Sequence, residues 1–333
     1  MKRAIIFLSL LFSISCFAQD STMNMLTKDM NTKKEEGNKP IKVFESVRLI
    51  NAYTPELIGK GKMDFRVIHN FFDIGGSGGG LKNFFGFDNA ADIKIGFEIG
   101  LSNHLDLIAA RTRGAEPYTV SFSRVQKIWE LGLKWKLMEQ KEGTGHPLSI
   151  ALFANTAVAS MQTPVFARQT LADSAETNYK SFSERMSQVL QLIIAHKAGN
   201  VSLELNGTFV HRNRVIVGDD KSIFALGGAI RIPLNKKFAF IVDYIHPFHS
   251  QSSKDFFSTI KSTVPQPIKF HDPLGVGFEI LTAGHVFHVN FTNAVEILEN
   301  RMIPRTITSW GNGQFRWGFT ISRTFVLWRD KAK

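Results

Sequence analysis

The chain has 333 residues, 44% hydrophobic, 21% charged and 11% aromatic, with a formal net charge of +11 and a single cysteine. A mean hydropathy of −0.05 excludes a helical membrane protein, which needs apolar runs of about 20 residues, and the apolar content excludes a disordered chain. No zinc-finger, RNP-like or helix-turn-helix pattern accompanies the positive charge, so no nucleic-acid partner is expected. An anionic lipid surface is the expected counterpart.

Lys2 and Arg3 precede an apolar run, Ala4 to Ile14, broken only by Ser9 and Ser13. Cys16-Phe17-Ala18 then places small residues at −3 and −1 of a cleavage after Ala18, so residues 1–18 read as a secretory signal peptide. The rival reading is a lipoprotein signal acylated at Cys16, against which Ser13 stands where an aliphatic residue is wanted. Cleavage after Ala18 removes the cysteine and leaves no disulfide or thiolate ligand, with a net charge of +9. Residues 19–40 are polar, with Lys33-Lys34-Glu35-Glu36 at their centre, and read as a flexible leader.

In residues 41–60, Val43, Glu45, Val47 and Leu49 alternate with Phe44, Ser46, Arg48 and Ile50. This segment reads as a lumen plug or a periplasmic strap in preference to an extra strand, which would make the strand count odd. From Lys62 the dominant period is two. Ala91, Ile93, Ile95, Phe97, Ile99 and Leu101 share one face, opposite Asp92, Lys94, Gly96, Glu98 and Gly100. Trp129, Leu131, Leu133, Trp135 and Leu137 likewise oppose Glu130, Gly132, Lys134 and Lys136. Twelve strands follow, at 62–72, 90–101, 104–113, 125–138, 147–160, 183–197, 200–212, 221–233, 236–246, 273–282, 285–294 and 313–327. Most are long enough for a tilted membrane-spanning strand, about 9 to 11 residues, and longer than the 5 or 6 of a soluble sandwich.

Connections alternate between long segments, such as 161–182 and 247–272, and tight turns, such as Ser102-Asn103 and Ala283-Gly284. That order belongs to a membrane barrel with long outer loops and short periplasmic turns. The expected fold is all-β: a closed antiparallel transmembrane β-barrel of about 12 strands over residues 61–328, with a periplasmic tail at 329–333. Closure follows from the need to pair every backbone N–H and C=O in lipid. Trp129, Trp135, Tyr118, Tyr244, Trp310, Trp317 and Trp328 suit the two interfacial girdles.

Four phrases carry a family resemblance: Asn83-Phe84-Phe85-Gly86-Phe87-Asp88-Asn89-Ala90, Val210-His211-Arg212-Asn213, Thr282-Ala283-Gly284-His285-Val286-Phe287 and Gly318-Phe319-Thr320-Ile321-Ser322-Arg323. Over residues 41–328 the chain resembles an uncharacterised family of exported bacterial β-barrels, domain-of-unknown-function family 5777. The resemblance implies an outer-membrane barrel of Bacteroidota-type bacteria, and no catalytic residues.

Alternation assigns the lumen face, a candidate solute path. Its basic members are Arg66, Lys94, Lys134, Lys136, Arg185, Lys197, Arg231 and Arg316; its acidic members are Asp64, Asp92, Glu98, Asp106, Glu130, Glu204, Asp243 and Glu279. Two readings stand: an ion-pair network filling a narrow interior, or a polar channel for a small solute, with little charge selectivity because the signs balance. The excess cations fall at outer strand ends: Arg111, Arg113, Arg124, Arg212, Arg214, Lys254, Lys261, Lys269, Arg301 and Arg305. Arg forks there suit phosphates of anionic outer-leaflet lipid. Loop apolar residues Met161, Phe166, Phe256 and Phe257 form a lid, a contact for a periplasmic or surface protein, or local packing. Gly75-Gly76-Ser77-Gly78-Gly79 matches a nucleophile elbow only in letters. A lipid hydrolase requires a Ser within reach of one of His69, His196, His211, His285 and His288. His246, His249, His271 and Asp272 are the weak metal candidates. No cofactor is expected. The leading expectation is a narrow channel or solute-binding transporter, followed by an occluded scaffold barrel and then by a lipid-modifying enzyme.

Overall fold

A computed structural model describes residues 39–76, 79–88, 90–114, 126–143, 146–163, 176–259 and 268–329. The expected signal peptide, most of the leader, Ser77, Tyr118, Arg124, Phe166, Lys261 and residues 330–333 lie outside the described residues. The wall is β1 (Lys62–Asp73), β2 (Ala90–Gly100), β3 (Leu105–Gly114), β4 (Gln126–Met138), β5 (Ser149–Ala159), β6 (Met186–Ala198), β7 (Val201–Arg212), β8 (Ser222–Pro233), β9 (Phe238–Pro247), β10 (Leu274–Leu281), β11 (His285–Thr292) and β12 (Arg316–Val326). Each strand pairs antiparallel with its sequence neighbours, and β1 closes the barrel against β12, with Lys62 opposite Val326 and Asn70 opposite Gly318. All twelve expected strands are present.

The alternation has the expected cause. On β2, Asp92, Lys94 and Glu98 are buried, whereas Ile95 and Phe97 are each 40% exposed on the outside. Leu131 and Leu205, 61% and 69% exposed, continue that lipid-facing band. Several strand ends differ from expectation by one to three residues, three of them for visible local reasons. A 3-10 turn, Ser183–Arg185, delays β6 to Met186. β11 stops at Thr292 because Asn293 leaves the wall: its Oδ1 accepts from the Leu274 N–H at 2.8 Å, and its Nδ2 donates to the Asp272 and Thr308 carbonyls at 2.9 Å. A second 3-10 turn, Trp310–Asn312, holds the chain before β12.

The interior is filled. Residues 41–57 run inside the barrel from the periplasmic end, where Pro40 bridges Lys141 of the β4–β5 turn. They form no wall strand. Val43, Phe44, Leu49 and Ile50 pack with Ala195, Ala229 and Ile241 of the wall. Two glycines admit this insert: a Cβ on Gly100 would overlap the Gly59 carbonyl, and one on Gly275 would lie 2.7 Å from Asp243 Oδ1 and 2.8 Å from Asn51 Nδ2. From the outer end, residues 293–305 also fold inward and contain a buried helix, α2 (Glu299–Arg305). Met302 and Ile303 of α2 share one apolar cluster with Tyr53, Phe153, Val189 and Ile193. Above it, α1 (Gln251–Thr259) buries Phe257 against Ile216 and Ile268, flanked by Phe256, Phe270 and Ile307. Of the readings open for Phe257, local packing holds: it is a core residue of this outer cap.

Candidate functional site: the filled lumen

The wall supplies pairs of opposite charge, several of them joining strands two apart. Lys94 on β2 meets Glu130 on β4 at 2.5 Å, and Lys134 on β4 meets Glu98 on β2 at 2.6 Å. Arg231 on β8 meets Glu279 on β10 at 2.6 Å, and His288 on β11 approaches the other oxygen of Glu279 at 3.3 Å. Arg66 folds back on Asp64 at 3.0 Å, and Arg316 reaches Asp73 at 2.6 Å. Lys136 lies 3.4 Å from both Glu56 of the insert and Glu139. Pairing offsets the cost of burying these charges.

Four wall carboxylates behave differently. Asp243 accepts the backbone N–H groups of Ile50 and Asn51 at 2.9 and 2.7 Å, and the Asn51 amide at 2.8 Å. Asp106 accepts the Ile58 N–H at 2.7 Å, and Asp92 accepts the Ile297 N–H at 2.8 Å. Glu204 accepts from Asn206 at 2.9 Å. Three of the four therefore hold insert backbone instead of cations.

The inserts meet at Arg48. Its guanidinium is paired with Glu299 of α2 and donates to the carbonyls of Ile297 (3.0 Å) and Asn51 (3.3 Å). It lies 4.7 Å from the Tyr53 ring centre, which Lys94 and Lys134 approach to 5.6 Å each. Cation–π attraction of this kind strengthens when the cation is desolvated. Below the N-terminal insert a vestibule of about 1050 Å³ opens at the periplasmic end, walled by Lys42, Glu56, Asp64, Arg66, Val286 and Trp328 among others.

At the outer end Arg212, Arg301 and Arg305 surround Glu176 and Asp219, with Arg305 to Glu176 at 2.9 Å and Arg212 to Asp219 at 2.9 Å. Burial alone would raise the Glu176 carboxyl; Arg305, Arg301, Arg212 and Arg214 outweigh it and hold it at about 2. Burial lowers the His249 imidazole to about 4, and its ring stacks 3.8 Å from Phe270.

Of the lumen residues named from alternation, Arg66, Lys94, Glu98, Glu130, Lys134, Lys136, Glu204, Arg231, Asp243, Glu279 and Arg316 are buried inside the barrel. Arg185 is a correction. It precedes β6 and donates to the Ala159 and Met161 carbonyls at the outer rim, because the 3-10 turn carries it off the wall. Arg212, Arg301 and Arg305 are corrections of the opposite sense: expected to meet lipid, they point inward to Glu176 and Asp219. Of the metal candidates, His246 and Asp272 are 2.9 Å apart, His249 stacks elsewhere, and no cluster of three or more potential ligands occurs among the described residues. One Ser–His pair is formed on the outer surface: His211 Nδ1 lies 2.7 Å from Ser222 Oγ. Among the described residues no hydrogen bond reaches its Nε2 to orient the ring, so a triad is incomplete.

Arg48, Tyr53 and Glu299 were missed as site residues. A usable signal lay in residues 295–303, where Val295, Ile297, Leu298, Met302 and Ile303 crowd a loop that has no lipid to face.

Residues 44–325 match the family described as a membrane-bound β-barrel domain, DUF5777. No curated protein matches the sequence. Among solved structures, the KdgM porin is 9% identical with a TM-score of 0.44, over 79% of this chain and 99% of that one. An outer-membrane channel of Pseudomonas putida F1 is also 9% identical with a TM-score of 0.44, over 80% and 96%. LpxR of Salmonella typhimurium is 11% identical with a TM-score of 0.35, over 79% and 99%.

Proposed function

From a chain that belongs to the membrane-bound β-barrel domain family DUF5777, we propose an outer-membrane channel for small polar solutes that rests closed behind a two-part plug. The observation carrying this reading is how the inserts are seated. Asp243, Asp106 and Asp92 hold them by backbone hydrogen bonds, and water can replace such bonds once a path opens. The wall left behind is polar, as a conducting lumen requires. The vestibule gives solutes access to the plug from the periplasm. The second reading is an occluded scaffold, favoured by the apolar packing of Met302 and Ile303 around Tyr53.

The test is single-channel recording of refolded full-length protein in a planar bilayer across a salt series. Asp243→Ala, which removes three plug hydrogen bonds, is recorded beside the wild type. Conductance steps that grow with salt and lengthen in the variant are expected. Silence from both, with folding verified by heat-modifiable gel migration, would leave the scaffold reading. We also infer export by a signal peptide cleaved after Ala18, so mass spectrometry of the mature protein should find Gln19 first.

A further inference from the structure

The lipid-facing surface is apolar almost everywhere, and among the described residues its one cluster of charges lies on β3 and β4; the outward Arg323 stands alone at the other end of the barrel. Arg113 and Lys127 lie directly opposite each other across this strand pair, and Arg111 lies opposite Trp129 one step below. Arg113 and Lys127 are both exposed, and all three cations point outward. Like charges directly opposite on a sheet repel and destabilise the pairing. Every other outward position among the described residues of β2 to β5 is uncharged: Ile93, Ile95, Leu107, Ala109, Leu131 and Thr156 are examples. No described carboxylate neutralises the trio from the surrounding wall.

The cations are placed by their neighbours. Trp129 and Trp135 are six residues apart on the same face of β4 and 57% and 53% exposed. They bracket a span of about 20 Å along the strand, about 15 Å across the membrane once strand tilt is allowed for, which fits within an apolar band of about 25 Å. Trp129 is the last outward aromatic before the outer end of β4, and the next outward pair, Arg113 with Lys127, is charged, so the outer interface falls between them and that pair stands at headgroup height. Arg111 is held in position: its guanidinium lies 4.6 Å from the Trp129 ring centre and donates to Ser160 Oγ at 2.7 Å. Three cations on two strands, one of them braced, at the level of lipid phosphates, form a site that an anion would complete. We propose that Arg111, Arg113 and Lys127 bind the phosphate of an outer-leaflet glycolipid, with Trp129 packing beside its acyl chains. An Arg fork suits a phosphate, and Lys adds a point charge. The proposal does not depend on whether the lumen opens.

The experiment is native mass spectrometry of the folded full-length protein in detergent. The probes are bis-phosphorylated lipid A, the same lipid dephosphorylated, and phosphatidylglycerol. The variants are R113Q/K127Q and, as a control, R323Q, whose arginine sits on the outside at the other end of the barrel over Phe325. Bis-phosphorylated lipid A should bind about tenfold more tightly to the wild type than to R113Q/K127Q, with R323Q unchanged. Phosphatidylglycerol bound as tightly as lipid A supports the site and assigns it to a single phosphate. Dephosphorylated lipid A bound equally well, or equal loss in R323Q, overturns the proposal. If the double variant does not fold, K127Q alone carries the comparison.

Discussion

Arg48→Met is the sharpest perturbation of the plug. Arg48 and Glu299 are each 1% exposed and lie on different inserts, so their pair is the electrostatic joint between the two halves. Removing the guanidinium leaves Glu299 buried without its cation and the Ile297 carbonyl without its 3.0 Å donor. Breaking a buried pair this way costs about 3–5 kcal/mol. Opening the lumen wets Glu299 and relieves that cost, so the loss falls on the closed state. The closed-to-open ratio should drop by roughly two to nearly four decades. The assay is open probability in planar bilayers at fixed voltage. Wild type should be closed nearly always and Arg48→Met open for a measurable fraction of the record. Arg48→Met/Glu299→Met should close again, because an apolar replacement of a buried pair is often neutral or stabilising. A folded Arg48→Met protein as silent as wild type would refute the joint. So would a double variant that conducts like the single one.

Gly275→Val should displace the Ile50–Asn51 turn, since a Cβ there already meets Asp243, Asn51 and Ile50 within 2.8 Å; limited proteolysis should then cut near residue 50 with the barrel intact. Asn293→Ala removes three hydrogen bonds that turn the chain inward and should cost about 2–4 kcal/mol locally, read as faster hydrogen exchange in α2. His249 is held neutral, its value lowered by burial from 6.5 to about 4, with Asp219 and Asp220 opposing that shift and Arg212 and Lys254 adding to it. Stability that depends on the neutral ring is present above pH 6.5 and lost as pH falls through 4, so exchange across α1 should accelerate in that window, and His249→Phe should abolish the step. The His211–Ser222 pair should be unreactive; fluorophosphonate labelling that disappears in Ser222→Ala would restore the lipid-hydrolase reading.

The wall was legible because lipid outside and polar groups inside impose a strict period of two, which strands such as β2 and β4 print directly on the sequence. Inward carboxylates and cations could be named from that parity. Their partners could not, since Lys94–Glu130 and Lys134–Glu98 cross β3 to join strands that are not adjacent, and parity says nothing about reach. The N-terminal insert was read as a plug or a strap, and the choice between the two stayed open for a related reason. Val43 to Ile50 alternates only weakly, and its surroundings are protein and the vestibule, so neither face carries a lipid signature. Residues 295–303 looked like a loop because their apolar side chains follow no strand period. They are buried by folding into the lumen, a long-range event that local spacing does not encode. Arg212, Arg301 and Arg305 show the same limit: position at a strand end predicts height in the membrane, not direction.

The charge count itself conceals an asymmetry that only pairing reveals. Sequence balance between inward acids and cations predicts little ion selectivity. In the structure, Asp92, Asp106, Glu204 and Asp243 form no ion pair among the described residues, and three of them are occupied by insert N–H groups. Lys197, whose ammonium donates to the Lys42 carbonyl at 3.1 Å, is the comparable cation, and it sits at the periplasmic end. Once the plug leaves, Asp106 and Asp243 lose their N–H donors and face the lumen. The exposed wall then carries Asp243 at mid-depth and Asp106 near the periplasmic end, and acidic groups lining a pore favour cations. The pore opened by Arg48→Met should therefore prefer potassium to chloride, with a reversal potential shifted toward the potassium equilibrium value in a salt gradient. Adding Asp106→Asn and Asp243→Asn should return selectivity toward unity without closing the pore. An anion-preferring pore, or one indifferent to those two substitutions, would mean that the conducting path does not pass the plug's seat.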